Sequence, residues 1–141
     1  MKAFRFGLEK ILGLRKFHEE EAKIELGRAV GLLAELEAKI SSLAEERARA
    51  AAAQFSSENG AREIQQYTYY LIRLDNTKER LLREAAQAEL KVEAARSIFI
   101  EASRERKVLD KVKEKRYKEY RKEMFVDEAK VTDDVSISKS I

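Results

Sequence analysis

Apolar residues recur at alternating spacings of four and three from Ala22 through Leu26, Ala29, Leu33, Leu36 and Ile40 to Leu43. A second run with the same spacing follows Asn59 and Gly60: Ile64, Tyr67, Leu71, Leu74, Lys78, Leu81, Ala85, Ala88, Val92, Ala95, Phe99, Ala102, Arg106 and Leu109. A repeat averaging about 3.5 residues keeps one seam of a helix against a partner helix and leaves its other faces charged and wet. The pattern predicts an all-α fold, a long two-helix antiparallel coiled-coil hairpin. Its first helix covers about 5–55, its turn 56–60 and its second helix about 61–127. Ser56, Ser57, Asn59 and Gly60 form the only cluster of turn formers in the first 126 residues, and so short a connection makes its neighbours antiparallel. Residues 1–129 are expected to form a single domain. Lys130 to Ile141, rich in Ser and Asp with no long apolar period, read as a disordered tail.

Folding the chain about Glu58 pairs positions whose numbers add to 117 or 118. Leu43 then faces Leu74, Leu36 faces Leu81, Ala29 faces Ala88, Leu26 faces Val92, Ala22 faces Ala95 and Leu8 faces Leu109. Farther out, Arg15 lies opposite Ala102 and Leu12 opposite Arg106. A two-helix seam diluted with alanine and arginine buries little apolar area, so it should be marginally stable alone and gain order from partners.

Composition agrees with long helices: 39% charged residues and no proline, cysteine or tryptophan in 141 residues. The lack of cysteine rules out a disulfide framework or a thiolate metal site and fits a reducing compartment. No continuous apolar core follows the early bases, so no signal peptide is read, and no run approaches the roughly 20 apolar residues that span a bilayer. Gly7, Gly13, Gly27 and Gly31 sit on helix 1. They are either tolerated small residues or places where something packs close or the rod bends.

Charge is unevenly distributed. Residues 1–16 carry +4 and residues 104–123 carry +5, while 124–141 carry −2 and 17–102 carry −4. An antiparallel hairpin lays the two basic segments side by side. Three readings compete for that pole: solvated helix ends, docking into an acidic protein socket, and nucleic-acid binding. The five acids interspersed in 104–123 argue against the last, because they would repel phosphates.

Off the seam, Tyr69 and Ile72 point outward beside Tyr67 and Tyr70, a cluster suited to a protein contact. Signals for catalysis are missing. His18, the single histidine, is followed by Glu19, Glu20 and Glu21 and reads as a solvated helix residue. Glu45 and Glu46 lie without a pocket that could shift their ionisation, and neither a phosphate-cradling GxxxxGK[ST] loop nor a GxGxxG is present. A two-helix rod encloses no substrate, and no catalytic, cofactor or metal role is assigned.

The opening Phe4-Arg5-Phe6-Gly7-Leu8-Glu9-Lys10-Ile11-Leu12-Gly13-Leu14-Arg15, followed by Glu19-Glu20-Glu21-Ala22-Lys23 and Leu26, resembles the start of the FliJ family. This family is the soluble coiled-coil component of the bacterial flagellar type III export apparatus. The basic stretch from Ser103 to Lys115 and the acidic close from Asp127 to Asp134 are similar to the family's far end.

That resemblance implies a stalk similar to the central stalk subunits of rotary ATPases. It would insert into the ring of the export ATPase FliI, promote ring assembly and link it to the export gate protein FlhA. Some members also bind export chaperones. The implied ring contacts are Arg5, Arg15, Arg104, Arg106, Lys107, Lys111 and Lys113. Family members reach the gate through a stripe early in helix 2, which matches Tyr67, Tyr70, Leu71 and Leu74 and extends to Thr77 and Leu81. The implied location is the cytoplasm, with peripheral attachment to the inner membrane through the export apparatus. The alternative is a stalk or scaffold coiled coil of another secretion system or rotary ATPase.

Overall fold

A computed structural model of the chain describes residues 2–56 and 58–140, with 139 and 140 as backbone alone. Ser57, within the expected turn, lies outside the described residues. Two long helices pack against each other: α1, Glu9–Gln54, and α2, Ala61–Ser140. Their residues fall into two compact units, described separately below: a hairpin unit, Ala22–Phe99, and a terminal unit formed by Met1–Glu21 with Ile100–Ile141.

In the hairpin unit the seam is where the repeat places it. From Ala22 to Leu43 every seam position of α1 is buried or half-buried, as is every α2 seam position from Ile64 to Phe99 except Lys78. Leu36, Leu81, Ala85 and Ala88 form the core cluster, and Leu33, Ile40 and Leu43 pack against it. The connection is closed by side chains. The Asn59 Nδ2 donates to the carbonyls of Ala53 (2.7 Å) and Gln54 (3.2 Å), two of the acceptors a helix C-terminus leaves unpaired. The Gly60 N–H donates to Glu63 Oε2 at 3.1 Å, the reciprocal half of a capping box at the start of α2. The buried Gln54 amide donates to the Ile64 carbonyl and to Thr68 Oγ1 (2.7 Å), tying the two helices together above their turn.

In the terminal unit the core is Phe6, Leu12 and Leu109, with Phe4, Leu8 and Val112 packed against it; Leu12 is only 1% exposed. Residues 2–8 precede α1 as a non-helical strap. Its Phe4 ring meets Tyr117 at 5.2 Å, edge to face, and Tyr120 at 5.5 Å. The Tyr120 hydroxyl donates to the Lys2 carbonyl at 2.5 Å. Phe6 lies under two cations, Arg116 at 5.5 Å and Lys113 at 6.0 Å from its ring centre.

Two features differ from the sequence reading. Bridging pairs such as Arg47–Asp75, Gln54–Thr68 and Glu9–Lys113 have numbers adding to 122, about one helical turn beyond the expected 117 or 118. Leu12 accordingly clusters with Leu109, while Arg106 pairs with Glu19. Heptad spacing alone leaves such a shift open, and polar pairs choose among the apolar matches. Helix α2 also continues to Ser140, where 127 was the expected end and a tail the expected sequel. Nothing after Gly60 stops it: neither glycine nor proline follows.

Candidate functional site

The terminal unit contains all seven bases implied as ring contacts, and the hairpin unit contains all five residues of the stripe, Tyr67, Tyr70, Leu74, Thr77 and Leu81. Within each set the structure separates exposed groups from those already engaged.

Arg106 is the most engaged base. At a seam position a guanidinium loses water and needs counter-charge. Its Nε donates to Glu19 Oε2 at 2.5 Å and its NH1 to Asp110, and its side chain is 24% exposed. The Glu19 hydrogen bond, then that of Asp110, raises its pKa further above the ordinary arginine value. The Ser103 hydroxyl donates to the same Glu19 oxygen at 3.2 Å. Arg15 is half-buried and donates to the Glu105 carbonyl at 2.8 Å; Lys113 reaches Glu9 at 2.8 Å. Arg5, Lys107 and Lys111 are exposed, as is Arg104, whose nearest carboxylate, Glu101, stands 3.8 Å away. The basic set therefore consists of four displayed cations around three that bind the unit together.

The stripe divides in the same way. Leu74 and Leu81 are buried, Leu81 within the core cluster, so they support the surface from beneath. Tyr67, Tyr70 and Thr77 are half-exposed. The Tyr70 hydroxyl donates to the Glu46 carboxylate, which holds this phenol's pKa above its usual value, and Arg73 lies 5.7 Å from the ring centre. Thr77 Oγ1 donates back to the Arg73 carbonyl at 3.0 Å. Tyr69 and Ile72, 59% and 50% exposed, extend the surface outward as their positions off the seam predicted. Beside them Arg47 grips Asp75 with two hydrogen bonds, 2.6 and 3.2 Å. The Arg47 hydrogen bond lowers the Asp75 pKa.

Sequence reasoning missed Glu19, Asp110 and Asp75 as the partners of these bases, and the bond between Glu46 and the tyrosine. The available signal was a base or phenol on or next to the seam, which demands a carboxylate from the other helix or one turn away. The strap aromatics Phe4 and Phe6 belong to the opening motif but carry no periodic signal of their packing. Among the described residues no cluster of His, Asp or Glu could hold a metal ion, and His18 lies exposed, 3.6 Å from Glu21. Nor is any described helix long and apolar enough to cross a membrane.

Both surfaces are helix faces that display charged or aromatic groups. No curated protein and no solved structure matches the chain. The family of flagellar FliJ proteins does, over residues 4–141, and that match takes in the strap from Phe4 onward, both helices and the whole of each surface. The chain belongs to the FliJ family, whose members are non-catalytic components of the flagellar protein export apparatus.

Proposed function

We propose that this chain is the stalk of the flagellar export apparatus: its terminal unit docks in the ring of the export ATPase FliI, and its hairpin unit reaches the export gate protein FlhA. The observation that carries this reading is the partition of the two residue sets, basic in one unit and aromatic in the other. Arg5, Arg104, Lys107 and Lys111 are the cations available to an acidic socket, while Arg15, Arg106 and Lys113 hold the surface that presents them. At the gate surface Tyr67, Tyr70 and Thr77 make contact, with Leu74 and Leu81 behind them. Export chaperones are further partners. At the membrane the protein is held peripherally, through the apparatus.

The stalk works by differential binding. Contacts made only with the assembled ring favour assembly by mass action, and no chemistry by the stalk is required. Reversing Arg104, Lys107 and Lys111 to glutamate should abolish stimulation of the ATPase ring with helical content unchanged. Full stimulation by that variant sinks the socket. Tyr67→Ala with Tyr70→Ala should weaken gate binding and leave ring stimulation intact. A pull-down that recovers a different hexameric ATPase would transfer the stalk to another secretion system.

A further inference from the structure

Helix α2 outlasts the strap that covers it. The strap's hydrogen bond to α2 ends at Tyr120, and from Arg121 to Ser138 every side chain is exposed except half-buried Met124. These 18 residues form about 27 Å of helix at 1.5 Å per residue. Met124, Val131 and Val135, spaced seven and four apart, continue an apolar stripe on this stretch. The stripe enters an open groove of the terminal unit that Phe4, Tyr120, Met124 and Val131 line. Charged groups of both signs share that groove: Arg5 and Arg116 among the bases, Glu123 and Asp127 among the acids.

Charge along the helix reverses at one point. Residues 111–122 hold seven bases and two acids, and residues 123–138 hold five acids and one base. A two-fold interface uses the same patch on both copies, so the patch must complement itself. A helix basic in one half and acidic in the other meets that demand only when two copies cross antiparallel at the reversal, between Lys122 and Glu123. Parallel packing would put like charges together.

We propose that the groove and tail helix of the terminal unit bind the tail helix of a second copy of this chain, antiparallel, with the two-fold axis near Lys122 and Glu123. Asp127 then lies near the partner's Lys118 and Asp134 near the partner's Lys111, while Met124, beside the axis, meets the partner's groove next to Tyr120. The inference does not depend on the stalk reading. Where both hold, the second copy covers part of the basic surface, so dimer and ring compete.

Sedimentation equilibrium of the full chain should show a mass rising with concentration from 16.3 kDa towards twice that value in low salt, and falling back as salt screens the pairing. Two charge-reversed variants sharpen the test, one with Asp127, Glu128, Asp133 and Asp134 changed to lysine, the other with Lys111, Lys115, Lys118 and Lys122 changed to glutamate. Each alone should associate at least tenfold more weakly than the native chain, and an equimolar mixture should recover the dimer. Because the native chain lacks cysteine, Glu123→Cys reports geometry directly. It should form a disulfide-linked dimer under mild oxidant, whereas Ser136→Cys should not. A native chain that stays monomeric at its highest soluble concentration in low salt overturns the proposal. Equal cross-linking at both positions overturns it too, as does failure of the mixture to restore association.

Discussion

The hairpin unit and the terminal unit use the same two helices differently. In the hairpin unit Leu36, Leu81, Ala85 and Ala88 meet in a seam of aliphatic and small side chains, with polar bonds at the turn. In the terminal unit the apolar centre is Leu12 with Phe6 and Leu109, and much of the remaining hold is ionic: Arg106 between Glu19 and Asp110, and Lys113 on Glu9. The terminal unit holds 17 bases and 14 acids, the hairpin unit 12 of each, so the entire net charge of +3 belongs to the terminal unit. A basic surface that must not repel itself apart is assembled by pairing some cations inward and displaying the rest. The neutral unit has no such need and can present tyrosines over an aliphatic seam.

If the terminal unit depends on one deeply buried leucine, removing it should separate the two units most sharply. Leu12→Ala should cost about 2–5 kcal/mol, because the cavity forms where side chains from the strap, α1 and α2 meet and cannot all close in. Hydrogen exchange should accelerate over residues 2–20 and 100–120 while residues 26–95 keep their protection. Equal loss in both regions would show that they unfold together and erase the contrast.

The complementary change tests the hairpin unit. Ala88 is 4% exposed, within the core cluster of Leu36, Leu81 and Ala85. Ala88→Leu should destabilise by about 1–3 kcal/mol through overpacking, with the exchange effect confined to 22–99. A stabilised variant would mean that the seam around Ala88 is loosely packed and has room for the larger side chain.

The seam was legible because a helix pair needs only period and polarity to declare itself. Lys78 is the exception that explains the rule: at a seam position its ammonium stays in water, and the position is exposed. The ionic architecture was not legible. Glu19 and Arg106 lie 87 positions apart, and only the register, shifted by about a turn from the apolar match, brings them together. The strap was hidden for another reason: Phe4 and Phe6 precede α1 and obey no helical period, so their packing depends on Tyr117, Tyr120 and Arg116 being presented by α2. The tail misled because its composition suits a solvated chain, yet no residue within it breaks the helix that enters it. For the candidate sites the motifs supply residue names and spacing, but the division into displayed and engaged groups required knowing which carboxylate each base meets.

Acid distinguishes the units more gently. The Arg47 hydrogen bond lowers the folded-state pKa of Asp75 below the ordinary value of 3.8. A depressed carboxylate contributes stability that is fully present above its unfolded pKa and is lost as pH falls through the folded value. The hairpin unit should therefore lose an increment of stability below about pH 4, and Asp75→Asn should flatten that limb of its melting profile. Because the pair is largely exposed, the effect should shrink with added salt. If Asp75→Asn leaves the acid limb unchanged, this pair contributes nothing to the hairpin unit's stability.

The smallest effect comes from the glycines and decides between two readings of them. A Cβ built on Gly13, in the terminal unit, or on Gly27 or Gly31, in the hairpin unit, meets no heavy atom within 4 Å. With no clash, alanine should stabilise at each site by about 0.5–1 kcal/mol, since glycine's cost in a helix interior is conformational and indifferent to which unit holds it. Equal gains at all three positions by thermal melting would identify these glycines as tolerated small residues. A gain in melting temperature at Gly27 and Gly31 accompanied by weaker gate binding would mean that a partner's backbone approaches the helix there, because the added methyl group obstructs nothing within the chain itself.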